Sequence, residues 1–369
     1  GRVPRAGTVI AQPALAKTYR TLVTGGKDAF YHGPIGQEIV RTVRAKGGFL
    51  TEQDLADFTP EWQETACTTY RSYDIHCPLP PCSGIQYLET LNLIEEDDLS
   101  AMGHNSPRVI HLFAEAMKLA VADRIAFSAR PDVPTAGLLS KAYAAERRKL
   151  IDPDRVAASE GDRFDQRLTG TGIVQPGEPG LSIPECTTHF DVIDDEGNAV
   201  AITQSLGDGF GSGVMAGDTG IMLNDFCYWF DVDPASPNVI APGKKIEMCM
   251  SPAAVFRDGR LCMVIGTPGS FGILETTPQM LSNVLDHGYS IQAAIEAPRF
   301  RTYAGTALDV EGRVPAAVRA ELARLGHDVR VLEDWSWLVG GGQGIMIEPG
   351  SGALLGGADP RRDGYALGW

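Results

Sequence analysis

Two adjacent threonines, Thr187 and Thr188, stand where a long polar stretch rich in Gly and Pro ends and alternating, β-type sequence begins. A threonine hydroxyl is a weak nucleophile by itself. Cutting the Cys186–Thr187 peptide bond changes that, because Thr187 then carries a free α-amine beside its own Oγ. Such an amine has an ordinary pKa of roughly 7.7–8.0. It can take the hydroxyl proton near neutral pH, so no histidine or carboxylate partner is required. Thr187 is therefore a candidate N-terminal nucleophile, and Cys186–Thr187 a candidate cleavage site. Taken alone, a Thr-Thr-His triplet is more often just a β-rich strand end.

The elements around the threonines must hold that hydroxyl. Residues 189–193 read as a strand, Asp194-Asp195-Glu196-Gly197-Asn198 as a turn, and 199–204 as a second strand, which makes a hairpin. The stretch Gly207-Asp208-Gly209-Phe210-Gly211-Ser212-Gly213 has a phosphate-loop look. It lacks a following Lys-[Ser/Thr] and a helix to receive the phosphate, so its glycines read better as places of close backbone approach. Residues 253–256 and 261–265 predict another hairpin around Arg257-Asp258-Gly259. Gly266-Thr267-Pro268-Gly269-Ser270 then turns into a helix over 272–287, and amides at such a helix start suit an oxyanion hole. Strands near 307–310, 328–332 and 344–347, with a helix over 315–325, complete a sheet-rich second half.

Before the threonines, helices dominate. Apolar periodicity predicts them from Pro13 to the Gly25-Gly26 pair, over 35–45 up to Gly47-Gly48, from Thr51, and over 85–96, 107–129 and 140–150. Residues 71–77 read as a strand, and Pro78-Leu79-Pro80-Pro81-Cys82-Ser83-Gly84 as a rigid connector. Residues 152–184 have no sustained periodicity and read as an exposed linker, suited to be the tail released by cleavage.

The 369 residues suffice for a large core, and 43% hydrophobic with 21% charged residues is an ordinary globular balance. Lys+Arg 32 against Asp+Glu 47 gives a net charge of −15, which argues against a nucleic-acid surface. No run of apolar residues is long enough to span a membrane. The seven cysteines are scattered without zinc spacing and read mostly as small buried hydrophobes. Neither a metal nor a cofactor is expected.

The run from Thr187 reads T-T-H-F-D-V-I-D-D-E-G-N-A-V-A, followed by Phe210-Gly211-Ser212-Gly213 and Gly217-Asp218-Thr219-Gly220-Ile221-Met222-Leu223-Asn224. Met250-Ser251-Pro252, Gly266-Thr267-Pro268-Gly269, Ala297-Pro298-Arg299-Phe300 and Ala358-Asp359-Pro360-Arg361 follow in order. On these motifs the chain resembles the γ-glutamyltranspeptidases, from about Gln12 to the C-terminus. The resemblance implies an α+β fold, a four-layer αββα sandwich made of two subunits by self-cleavage. Residues 1–186 would be a helix-rich large-subunit portion and 187–369 a sheet-rich small subunit beginning at the nucleophile. It also implies that Ser205 hydrogen-bonds Thr187, in place of a family threonine, and that the amides of Gly269 and Ser270 form the oxyanion hole. The family's precursors are longer at the N-terminus, so Gly1-Arg2-Val3-Pro4 reads as other than the natural start. Any targeting signal, and with it the compartment (cytoplasmic, periplasmic or secreted), lies out of view.

At the positions where that family holds a γ-glutamyl head group the chain departs from the pattern. Gly207 stands for an asparagine, Phe226 for a glutamine and Trp229 for an aspartate, while Met248-Cys249 replaces a serine pair. The resemblance thus implies retained chemistry with a changed pocket. The expected partners are a small-molecule amide or γ-glutamyl donor, water or an amine acceptor, and the large and small subunits for each other, with higher oligomers open. The leading reading is a self-processing amidohydrolase or acylase with a non-γ-glutamyl donor. The alternatives are a γ-glutamyltransferase or glutathione hydrolase with altered donor recognition, and a non-catalytic homologue.

Overall fold

The hairpin expected downstream of Thr187 forms, but its first strand begins at Glu185, four residues before the expected start at 189. The computed structural model describes residues 3–157, 185–302 and 305–369. The end of the linker reading, residues 158–184, lies outside them. The strands are β1 (Thr65–Tyr70), β2 (Tyr73–Pro78), β3 (Glu185–Ile193), β4 (Ala199–Asp208), β5 (Ala253–Arg257), β6 (Arg260–Gly266), β7 (Phe300–Thr302), β8 (Ala307–Glu311), β9 (Asp328–Leu332), β10 (Gln343–Ile347) and β11 (Leu354–Ala358). With their helices they make an α+β fold. The chain divides into two compact units, residues 1–62 with 206–226, and residues 63–205 with 227–369.

The smaller unit is helical. The helices Pro13–Gly25 and Pro34–Ala45 both start on a proline, which fits the first turn because its missing N–H has no partner there in any case. The short helix Glu52–Ala56 is opened by a capping box between Thr51 and Asp54. Ala29, Ile35, Ile39 and Ala216 form the core, with Leu22, Phe30, Val43, Leu50, Ile221 and Leu223 around it. The 206–225 segment joins that core as a loop closed by its own backbone bonds, such as Ser212 N–H to the Leu223 carbonyl at 2.9 Å and Ala216 N–H to the Ile221 carbonyl at 2.9 Å.

The larger unit is built on a six-stranded antiparallel sheet in the order β1-β2-β5-β6-β10-β11. The helices Ile85–Ile94 and Ile273–Leu285 pack on this sheet and Pro107–Phe127 packs on the first of them, all ten residues of which are buried. The β3–β4 hairpin lies against β6 and β10 as a further layer. Its two faces alternate. His189 is buried, whereas Phe190, Val192, Val200 and Ile202 are exposed on the opposite side. A third sheet, β7-β8-β9, contains a parallel β8–β9 pair bridged by the Ala316–Arg324 helix.

Two expectations need correction. Arg71 does not start a strand: Arg71 and Ser72 form the tight turn between β1 and β2, at φ 51° and 68°, and β1 itself was not anticipated. The cysteines are not mostly buried. Cys77 and Cys249 are, but Cys67 and Cys227 are exposed, Cys67 because it lies on the outward face of the edge strand β1. No disulfide joins Cys67, Cys77, Cys82, Cys227, Cys249 or Cys262.

The motifs Ala297-Pro298-Arg299-Phe300 and Ala358-Asp359-Pro360-Arg361 meet in a buried charge network. Asp359 accepts from Arg299 Nη2 at 2.6 Å and from Arg361 Nη1 at 3.0 Å, and Arg361 Nε donates to Glu311 at 2.6 Å. All four side chains are sealed from solvent. Burial alone would raise the Asp359 carboxyl, but Arg299 and Arg361 overcome it and hold it below the ordinary aspartate range. A depressed carboxylate stabilises the fold above its unfolded pKa, and that contribution is lost as pH falls through the folded value. Removing one partner strands buried charge, which costs about 3–5 kcal/mol. Asp359→Asn is therefore expected to lower unfolding stability by about that much at pH 7, read from the denaturant midpoint. Lys149→Ala, at an exposed pair with Glu146, should change it by less than about 0.5 kcal/mol.

Candidate active site

Thr187 and Ser205 face each other across the β3–β4 hairpin, with Thr187 Oγ1 donating to Ser205 Oγ at 3.0 Å. The hairpin sets this pair. Thr187, His189 and Asp191 recur at a spacing of two along β3, and Thr203 and Ser205 along β4, so all five side chains share the inward face. The Asp194–Asn198 turn is closed by Asn198 N–H donating to Asp194 Oδ1 at 2.8 Å. Thr187 is half-buried, and Thr188 points outward and is exposed.

Next along the same face, His189 Nε2 lies 2.9 Å from Asp191 Oδ2, and His189 Nδ1 lies 2.8 Å from Thr203 Oγ1. A carboxylate only accepts, so Nε2 carries the proton and Nδ1 receives the Thr203 hydroxyl. Burial raises the Asp191 carboxyl above its ordinary value, with His189 opposing. The imidazole edge is pressed onto β6. A Cβ at Gly266 would lie 2.4 Å from His189 Cε1, a distance no side chain tolerates. His189 thus ties the nucleophile strand to the start of the Gly266–Ser270 turn. Sequence reading assigned it no role, although its place two residues after Thr187 on one strand face was a usable signal.

That turn is strongly bent, with Gly269 at φ 136° and Ser270 at φ 54°, and it opens a short 3-10 turn, Ser270–Gly272, before the Ile273–Leu285 helix. The helix therefore begins one residue later than expected, with Ser270 buried at its approach. Thr267 Oγ1 fixes the turn from behind, donating to the Pro268 carbonyl at 2.7 Å and accepting from Gly341 N–H at 2.9 Å. Arg299 Nη1 donates to the Val339 carbonyl at 2.9 Å, so the buried charge network supports the same backing loop.

The candidate pocket residues fall in both units. In the smaller one, Gly207 sits at φ 96° with Asp225 against it. A Cβ there would be 1.8 Å from Asp225 Oδ1, so an asparagine would have to take a strained positive φ and displace that carboxylate. Phe226 is half-buried, its N–H donating to Asn224 Oδ1 at 3.2 Å. In the larger unit, Trp229, Met248 and Cys249 are brought together by Asn238. Its Nδ2 donates to the Trp229 carbonyl at 2.8 Å, and its Oδ1 accepts from Glu247 N–H at 3.2 Å. Trp229 stacks on Phe271 with centroids 5.3 Å apart and planes at 27°, and the Arg124 guanidinium lies 4.2 Å from the Phe271 ring centre. Arg124 is in turn paired at 2.5 Å with Glu247, which also accepts from Ser83 Oγ at 2.8 Å. The Pro80–Ser83 connector joins this group too, with Met248 N–H donating to the Pro81 carbonyl at 2.8 Å. Phe271, the residue after Ser270, and Arg124 were not anticipated, since their contact joins distant helices.

This assembly can be set against known proteins. The family described as Gamma-glutamyltranspeptidase matches residues 1–369. The Acylase ACY 1 proenzyme of Pseudomonas sp. (strain SE83) is 35% identical over 99% of this chain and 62% of its own length. The glutathione hydrolase proenzyme of Escherichia coli (strain K12) is 33% identical over 98% of this chain and 62% of its own. A crystal structure of cephalosporin acylase from Bacillus halodurans superposes with a TM-score of 0.88 at 31% identity, covering 100% of this chain and 64% of that one. The chain thus spans a little over three-fifths of the length of these relatives. With the signature residues on one hairpin and the family matched end to end, the chain belongs to the γ-glutamyltranspeptidase family.

Proposed function

We propose that this chain forms the catalytic portion of a self-processing N-terminal-threonine amidohydrolase, an acylase whose donor is not a γ-glutamyl group. The observation that carries the reading is the Thr187–Ser205 hydroxyl pair, 3.0 Å apart on the inward face of the hairpin. In processing, Thr187 Oγ attacks the Cys186 carbonyl. The C–O ester bond forms, the C–N bond breaks, and the hydroxyl proton ends on the new amine. Water then hydrolyses the ester, releasing the Cys186 carboxylate and restoring the Thr187 hydroxyl. Cleavage there divides the 369 residues into portions of 186 and 183. In turnover the α-amine takes the Oγ proton, Oγ adds to the donor's carbonyl, and Ser205 rotates to donate to the developing anion. The α-ammonium then passes its proton to the donor nitrogen as the C–N bond breaks. Water hydrolyses the acyl ester, freeing the acid and restoring the Thr187 hydroxyl. The amides of Gly269 and Ser270 serve as oxyanion donors.

Donor choice rests on the wall beside Ser270. Trp229 and Phe271 form a stacked and largely buried aromatic pair, and the Arg124 charge behind it is already met by Glu247. An ammonium placed against such a wall would find Glu247 already engaged by Arg124, and stranding it would cost several kcal/mol. An apolar or aromatic acyl group gains there instead. The names of the Pseudomonas and Bacillus acylases agree with this reading. The second reading, a glutathione hydrolase with altered donor recognition, is favoured by the glutathione hydrolase relatives at 32–33% identity.

Three outcomes are expected with the complete gene product. Thr187→Ala stays uncut on a denaturing gel and shows no turnover, because it lacks the hydroxyl that attacks the Cys186 carbonyl and so never gains a free α-amine beside a nucleophile. Retained turnover in that variant would remove Thr187 from the mechanism. Ser205→Ala still folds but turns over on the order of 10–10³-fold more slowly, the range for one lost activating hydrogen bond. In kcat/KM on the processed enzyme, γ-glutamyl anilides fall at least ~10²-fold below aromatic N-acyl amides, about 2.7 kcal/mol in transition-state binding. The reverse ranking selects the glutathione-hydrolase reading.

A further inference from the structure

Away from the hairpin, the buried face of the Pro107–Phe127 helix carries His111 and Glu115 one turn apart, and His327 meets them from the residue before β9. All three are buried, and one ligand atom from each lies within 4.8 Å of the others. His111 Nε2 is 2.8 Å from the Asp152 carbonyl, and His111 Nδ1 is 2.8 Å from His327 Nε2. The His327 ring also bonds the Thr306 backbone.

These partners dictate the protons. A carbonyl oxygen only accepts, so His111 Nε2 must carry hydrogen, and a neutral imidazole then has a bare lone pair on Nδ1. His327 is held the same way: with Nε2 turned to His111, its Nδ1 is the donor to Thr306, and Nε2 is bare. Two lone pairs therefore face each other across 2.8 Å beside a carboxylate. Something positive must lie between them. We propose that His111, Glu115 and His327 form a binding site for a divalent first-row transition-metal ion, zinc foremost, that ties the long helix to the start of β9.

The donor set suits that ion class: two imidazoles and one carboxylate are a familiar zinc triad with a fourth position open. The outer ring nitrogens are already oriented by backbone carbonyls, the usual support for metal-ligating histidines. At Zn–N distances of about 2.0–2.1 Å, two tetrahedral nitrogens stand roughly 3.3 Å apart, so the rings need to part by only about half an ångström. Glu115 must also swing inward. Its Oε1 is held at 2.5 Å by Lys118, and its Oε2 accepts from Ala157 N–H at 3.0 Å. Each oxygen keeps a second lone pair, but the Lys118 ammonium opposes a second cation nearby. Sequence reading expected no metal. His111 and His327 are 216 positions apart, so no local spacing announces the site.

The test is metal binding by the complete gene product after chelator stripping, using Zn²⁺ against a chromophoric competitor and Co²⁺ for its visible absorption. The expected result is one equivalent of Zn²⁺ with Co²⁺ bands of a four- or five-coordinate site. Binding weakens at least ~10²-fold in His327→Gln and ~10-fold in Glu115→Gln, and tightens at least ~10-fold in Lys118→Gln as the opposing charge is removed. Melting of the unaltered protein, with Zn²⁺ and then with excess chelator, covers the case of a variant that does not fold: Zn²⁺ should raise Tm and chelator reverse it. Less than 0.1 equivalent bound, with Tm unmoved by Zn²⁺, overturns the proposal and leaves a proton shared between the imidazoles. So does binding that His327→Gln and Glu115→Gln both leave unchanged.

Discussion

His189 occupies the space that a side chain at position 266 would need, and the proposed catalytic arrangement hangs on that contact. The imidazole is sealed between Asp191 and Thr203 of its own hairpin and the backbone of Gly266 on β6. It thereby fixes how the strand carrying Thr187 meets the turn that ends at Gly269 and Ser270. In the proposed mechanism an N-terminal nucleophile brings its own base, so the task left to the fold is positional: to set Oγ, a hydroxyl partner and a pair of amides in one place. A hairpin pinned to the central sheet does this with rigid elements. A positive-φ turn backed by Thr267 and the Arg299–Asp359–Arg361 network does the same for the amides.

The proposed donor preference follows from a different balance. Where the wider family pattern has polar anchors, this chain has Gly207, Phe226, Trp229 and Met248-Cys249. In the structure the tryptophan is engaged in a stack with Phe271, and Arg124 closes that stack from the far side. The guanidinium is compensated by Glu247, which Ser83 also holds. Charge at this wall is internal to the protein. In the proposed acylase, discrimination between donors would come from the cost of burying a head group that finds no partner, more than from any new attraction.

Much of this was legible in the sequence where local chemistry decides structure. Pro13 at a helix start, the Gly25-Gly26 and Gly47-Gly48 stops, the Asp258-Gly259 turn and the strand alternation around Thr187 all told the elements apart. β1 escaped because its inward positions are Ala66, Thr68 and Tyr70, so polarity does not alternate even though burial does; Thr68 is buried by bonding Asn92. β11 escaped because Gly356 and Gly357 weaken its strand character, and it is kept by pairing with β10. Of the site, Thr187 and Ser205 could be read because a signature carries them. Phe271, Arg124 and Glu247 could not, since nothing local marks residues whose role is a contact between distant helices and loops. The motifs Ala-Pro-Arg-Phe and Ala-Asp-Pro-Arg were visible but unexplained until their charges met in the core.

The central claim is that Thr187, as a free N-terminal residue, carries the acyl group during turnover. Tandem mass spectrometry of the complete gene product, acid-quenched while it turns over a slow aromatic N-acyl amide, addresses this directly. The account predicts a peptide that begins at Thr187 with an unmodified α-amine and bears the acyl mass on the threonine side chain. An acyl group on Cys249 or any other residue, or active enzyme in which Thr187 is still bonded to Cys186, would contradict it.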